Sequence, residues 1–516
     1  MNNRWLKLAA VPIALSLVAA ACGSDSDSGS GSGDTTTDGT TTDGTTTDGT
    51  TAEGGAGDFG GATVTLTGPE RDDPSIAAIN DTLNAWGETV NLTVEYTGDA
   101  DWEANISTQV EGGNPPDISF FPQPGKLADF ARDGSVVALT DEMNATLDQY
   151  WDEDFQIYGN VDGTQYGIPA KTDLKSLVWY QPAAFEEAGY EIPTTFDEFT
   201  ALVDEMAAAG GPKPLCVGIE SGTATGWTFT DWVEEMVLRQ AGGDVYDQWV
   251  SNEIPFDDPQ IVTAMQTVID LWAPENVFAS GGSIAATAFQ DNGQPLIDGQ
   301  CFMHRQANFY AGLFPEGTTF ADPADPTAVD VFYFPDINGD KPVLTAGIYA
   351  VAFNDDPATQ AVMNYIATGD YAENRQKNQS AAVGGLSGYL SAAKEQDPSV
   401  YTPLEQSFLD ILLASELSRF DGSDLMPGAV GAGTFWSEGT SLVNGDTTAE
   451  EAAETGYRID LLVNNAVILE LKSVESVADI HLAQLMTYLK LSEKRLGLLL
   501  NFNVLDMQQG IYRRVM

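Results

Sequence analysis

Apolar and polar side chains alternate over 62–67, where Ala62, Val64 and Leu66 are separated by threonines, and this pattern predicts a strand. The period then changes. Over 75–86 the apolar positions recur at steps of three and four, which predicts an amphipathic helix. A second strand is expected over 90–96 and a helix over 102–111, stopped by the run GGNPP at 112–116. A third strand is expected over 117–121, ended by Pro122 and Pro124. Alternating strands and helices argue for an α/β fold with a mostly parallel sheet covered by helices. Ligands of such sheets sit beyond the carboxyl ends of the strands, which makes 98–101 and 122–125 candidate binding loops.

Two N-terminal stretches break this pattern. Arg4 and Lys7 precede an apolar, small-residue run over 8–21, which is too short for a comfortable membrane span and has the layout of an export signal. The string LVAAAC at 17–22 resembles the signal of bacterial lipoproteins, in which the cysteine becomes the lipidated first residue. That resemblance implies removal of 1–21 and a lipid anchor on Cys22, although Ala19 stands where leucine is usual. Residues 22–58 follow as a Ser/Gly/Asp/Thr segment with three tandem TTTDG copies over 35–49. So few apolar side chains cannot offset the entropy of ordering, and the segment reads as a disordered tether. Its r.m.s. reach would be roughly 30–35 Å, from ~5–6 Å × √n. In an exported chain Cys216 and Cys301 are expected to form a disulfide; two separate buried thiols are the alternative.

Charge narrows the function classes. The 516 residues carry 22 Lys+Arg against 77 Asp+Glu, a net −55, which argues against a large nucleic-acid or anionic-membrane footprint. Two histidines in the whole chain make a His-rich metal site or a His relay a poor expectation. The length suits two to four domains.

A series of short strings then carries a resemblance. GGNPPDI (112–118), FARDG (130–134), DGTQYGIP (162–169), LVWY (177–180), FEEAG (185–189) and PTTFDE (193–198) resemble the extracellular solute-binding proteins of sugar ABC transporters. CVGIESG (216–222), GWTFTDW (226–232), HRQ (304–306) and FDGSDLMP (420–427) are similar to the α-glucoside-type branch. The resemblance covers about 60–453. It implies a two-lobed, Venus-flytrap α/β fold, with one lobe from 60–172 and 344–386 and the other from 173–343 and 387–455. A sugar would be held between them and passed to permease subunits, with no catalysis, cofactor or metal.

A saccharide presents hydroxyls around the ring and apolar faces above and below it, so its site needs flat aromatic surfaces beside forked polar groups. Trp227, Trp232 and Trp436 are the candidate stacking rings. Asp231, Arg305, Gln306 and Asp424 are the candidate hydroxyl partners from one lobe, and Asp99 and Gln123 from the other. For Trp232 and Asp231 burial in a helix starting there is the competing reading. The run GAVGAG at 428–433 lacks the Lys-Ser/Thr ending of a phosphate loop.

From 456 the chemistry changes. The tail carries seven basic and six acidic residues, a net +1, against −56 for the rest. Strands are expected over 457–463, 466–471, 496–502 and 510–515, with a helix over 479–491. Asp460, Glu470 and Lys472 have the spacing D-x9-E-x-K. The tail resembles the C-terminal half of GxxExxY-type proteins, which are similar to the PD-(D/E)XK nuclease fold. That resemblance implies a metal held by Asp460 and Glu470, with Lys472 orienting water. The helix that should precede it is missing, so 456–516 reads as a truncated fragment. A nuclease or a secreted carbohydrate hydrolase are the alternatives to sugar capture. The first needs a basic face, and the second needs a recognisable pair of carboxylates about 5–10 Å apart.

Overall fold

The computed structural model describes residues 57–325, 327–455, 461–463, 466–472, 477, 482, 485, 486, 488, 489, 494–504 and 507–516. The expected signal peptide, Cys22, most of the tether and Asp460 lie outside the described residues.

The first sheet begins as the sequence pattern predicts. Ala62–Gly68 pairs in parallel with Leu92–Gly98 on one side and Ile118–Phe121 on the other. In the first two strands burial alternates, whereas Ile118–Phe121 is buried on both faces. The intervening helix, Asp73–Gly87, starts where the Asp72 carboxylate accepts the Ser75 N–H and Pro74 occupies the first turn. Its apolar stripe, with Ile79 and Leu83, packs on Val64 and Leu66. Two long strands complete the sheet. Val343–Ala352 runs antiparallel to both Ile118–Phe121 and Gly167–Leu174, and both long strands are buried throughout.

The second sheet has the order Asp330–Tyr333, Leu177–Tyr180, Cys301–Arg305, Lys213–Cys216, Val277–Phe278. The chain thus leaves the first sheet at Leu174, enters the second at Leu177, and returns between Tyr333 and Val343. Cys216 and Cys301 form the expected disulfide between adjacent strands of this sheet. Helix Phe196–Ala209 opens on a capping box made by Thr195 and Glu198. Helix Trp227–Gln240 is buried almost all round, although it carries Asp231, Glu234, Glu235 and Arg239. Ser418–Phe420, in the segment expected to belong with this lobe, pairs instead with Val343–Ala352 of the first sheet.

The tail forms a four-stranded mixed sheet in the order Leu461–Val463, Val467–Lys472, Leu496–Asn501, Ile511–Val515. Ile468, Leu485, Tyr488, Leu489 and Leu499 make its small core. Among the described residues no helix is long and apolar enough to cross a membrane.

Candidate functional site

A cavity of about 240 Å³ lies where the two sheets face each other. One wall is made by the loops at the carboxyl ends of the parallel strands, with Glu70, Asp72, Asp99, Glu103 and Gln123. The opposite wall carries Trp227, Phe289, Phe309, Asp424 and Trp436. The rims touch: a Cβ on Gly125 would sit 1.8 Å from the Met426 carbonyl oxygen, so only glycine permits that approach.

Trp227 opens its helix directly after Gly226, which has φ +112° and would place a Cβ 2.2 Å from the Trp436 carbonyl oxygen. This turn brings the two tryptophans together. The Trp227 ring lies 5.0 Å from Phe289 and 6.1 Å from Phe309, and the Lys175 ammonium stands 5.4 Å from it. Trp436 follows a turn of π-helix, Val430–Phe435, and its indole N–H donates to Ser423 Oγ at 3.3 Å. Only 3% of Trp436 is exposed, so most of its surface supports the wall rather than facing the cavity.

Beneath this wall lies a buried ionic floor. Lys175 donates to Asp231 at 2.7 Å and also to Asp421. Arg305 pairs with Glu235 and stands 3.7 Å from Asp231; Arg239 pairs with Glu235 as well. Glu234 accepts the backbone N–H groups of Gly422 and Ser423, each at 2.9 Å. Burial works against the charge on Asp421, but the Lys175 ammonium and hydrogen bonds outweigh it and hold that carboxyl low. On Asp231 burial outweighs Lys175 and the carboxyl is pushed up. The carboxylates of Asp231, Glu234 and Asp421 converge within 4.8 Å, a spacing a cation could use, and the Lys175 ammonium already bridges two of them.

Five of the expected site residues line this cavity: Trp227, Trp436, Asp424, Asp99 and Gln123. Four do not, and the reason is packing. Trp232 is wedged against Trp272 and Phe334, with ring centroids at 5.7 and 5.6 Å. Asp231 and Arg305 are spent on the ionic floor. Gln306 turns its carbonyl to the Ala307 N–H at 2.8 Å. Sequence reasoning also missed Lys171 and Lys175 as cavity residues. Both sit in or beside a fully buried strand, and two lysines there, in a chain with 22 basic residues, were the signal available. His304 is also structural: Nδ1 bonds to the Cys216 carbonyl at 3.0 Å, and burial drives its pKa down to about 4.

In the tail Glu470 is buried, at 1% exposure, on the strand Val467–Lys472. Asp460 and the side chain of Lys472 lie outside the described residues.

A model described as bacterial extracellular solute-binding protein matches residues 70–373. One of the PD-(D/E)XK nuclease superfamily matches 447–515. The alpha-glucosides-binding periplasmic protein AglE of Rhizobium meliloti is 37% identical, over 77% of this chain and 86% of its own. The osmoprotective compounds-binding protein GgtB of Synechocystis sp. is 38% identical, over 71% and 85%. Among solved structures, the bacterial solute receptor AcbH aligns with a TM-score of 0.64 at 18% identity, covering 77% of this chain and 98% of that one.

Proposed function

Because the chain belongs to the bacterial extracellular solute-binding protein family, whose members bind and do not catalyse, we propose that it captures an α-glucoside-type sugar for an ABC importer. The observation that carries this reading is the cavity between the two sheets, where aromatic rings stand opposite carboxyl and amide groups. Such a surface suits a saccharide ring with its apolar face on the aromatics and its hydroxyls toward the polar wall. A relative at 37% identity whose name records α-glucosides supports the sugar class. The lobes 60–172 with 344–386 and 173–343 with 387–455 would close on the sugar and open to release it to a permease. The signal-like string ending at Cys22, followed by a polar segment, supports a lipid anchor on the outer face of the membrane.

Calorimetric titration of the full-length protein with maltose, trehalose and sucrose tests the reading. Saturable binding to at least one, with a dissociation constant on the order of micromolar (about −8 kcal/mol), is expected. Absence of heat and of thermal stabilisation with all three would reject the α-glucoside class. Mass spectrometry of the mature N-terminus should find a diacylglyceryl group on Cys22, and an unmodified cysteine there would remove the anchor.

A further inference from the structure

The cavity is far more acidic than a neutral sugar requires. Glu70, Asp72, Asp99 and Glu103 line one wall, Asp424 the other, and Asp173 and Asp421 complete the acidic lining; the basic lining is Arg71, Lys171 and Lys175. The lysines are already committed. Lys171 stands 3.6 Å from Glu70 and 3.4 Å from Asp173, and Lys175 holds Asp231 and Asp421. Arg71 donates to the Ala100 carbonyl at 3.2 Å.

What is left over is a set of acceptors. Among the described residues no group donates to the Asp424 carboxyl, which is only 7% exposed. Gln123 lines the cavity at 3% exposure; among the described residues its buried carbonyl oxygen has no hydrogen-bond partner, while its amide donates to Glu103 at 3.4 Å. A neutral hydroxyl could satisfy one such acceptor. A group with three donors and a positive charge satisfies several and also offsets the surplus of carboxylates.

Resting on the sugar-capture reading, we propose that the preferred ligand is an amine-bearing saccharide whose ammonium is received by the Asp424 and Glu103 carboxyls and the Gln123 carbonyl. Asp424 comes from the wall anchored on helix Trp227–Gln240, and Glu103 from the opposite wall, so one cationic group would draw the two together. Burial and the neighbouring charges of Asp421, Asp231 and Glu103 push the Asp424 carboxyl up, against the pull of Lys175. Burial likewise raises Glu103, opposed by Lys126, Gln123 and Arg71. Burial thus disfavours the charge on both carboxyls, and an ammonium placed between them would favour their ionised forms.

The test uses the full-length protein and matched pairs: maltose and trehalose, each beside derivatives in which one hydroxyl is replaced by a primary amine. Calorimetry at pH 8 should show one amino-deoxy compound binding at least ~10-fold tighter than its parent, on the scale of a charge-assisted contact in a desolvated site. The preference should shrink as pH falls to 5.5, because protonation of the carboxyls removes the charge the ammonium meets. Asp424→Asn and Glu103→Gln, on different elements, should each bring the amine-to-parent ratio toward one. If the parent sugars bind and no amine binds tighter at any of these pH values, the cationic ligand is refuted and sugar capture stands. If no member of any pair binds, the sugar reading fails and the inference fails with it.

Discussion

Asp421 and Asp424 are three residues apart, lie on the same short segment, and are both almost fully buried, yet they are chemically opposite. Asp421 accepts the Lys175 ammonium, the Ser423 hydroxyl and the Asp424 N–H, and it is held low. Among the described residues no group donates to the Asp424 carboxyl, and burial drives it up. The floor as a whole differs from the cavity wall in partners rather than in charge: its carboxyls meet lysine, arginine and backbone N–H groups, and even so burial pushes Asp231 up. A buried carboxyl whose partners are supplied by the chain is structural. One that is buried without a partner costs stability, and such groups belong where a ligand is expected.

The hardest way to break this comparison is to remove the cation of the floor. Lys175→Met leaves Asp231 and Asp421 without their shared ammonium, and the loss of one partner of a buried ion pair costs about 3–5 kcal/mol. Urea unfolding of the full-length protein should show a loss of that size. A midpoint unchanged from the parent would mean the floor carboxyls are protonated and need no partner.

His304, on the same sheet as Arg305, sharpens the contrast through pH. Its folded pKa of about 4 lies below the ordinary 6.5, so the unfolded chain binds the proton more readily between those values. Stability from this group is therefore present above pH 6.5 and is lost as pH falls toward 4, by about 3 kcal/mol in all. His304→Gln should flatten that part of the stability-versus-pH curve, and identical slopes for the two proteins would place the titration elsewhere.

The smallest expected effect concerns the wall. Trp227 is half-buried whereas Trp436 is almost wholly enclosed. Trp227→Ala should cost sugar affinity about 1–2 kcal/mol, the scale for a lost aromatic contact at a binding site. Trp436→Ala should lower the melting temperature as well, because it opens a cavity and removes the indole hydrogen bond to Ser423. Equal stability losses for the two variants would put both rings in the core.

Much of the frame was legible in the linear pattern. The strand and helix expected over 62–67 and 102–111 correspond to Ala62–Gly68 and Trp102–Glu111, because alternation and three-four spacing act through local geometry. The loops at 98–101 and 122–125 supply Asp99 and Gln123 to the cavity, since strand ends in a parallel sheet collect on one edge. Site membership was harder. The string GWTFTDW offered Trp227 and Trp232, five residues apart, with Asp231 between them. The helix turns Trp232 to a different face, into the packed interior, whereas Asp231, four residues after Trp227, shares its face but lies one turn deeper and is taken by Lys175.

The sequence by itself determined the α/β class, the order of the first elements and the change of character near 456, because each rests on local period, composition or residue chemistry; the Cys216–Cys301 disulfide was its expectation, and the adjacent strands of the second sheet decided it. Tertiary structure alone decided which acids are neutralised. Lys175 comes from the segment between two sheets, Asp231 from a buried helix and Asp421 from a turn 246 residues beyond the lysine. No spacing along the chain encodes that meeting. Partnership is settled by distances of a few ångströms after folding, and it is partnership that separates a structural carboxyl from one left for a ligand.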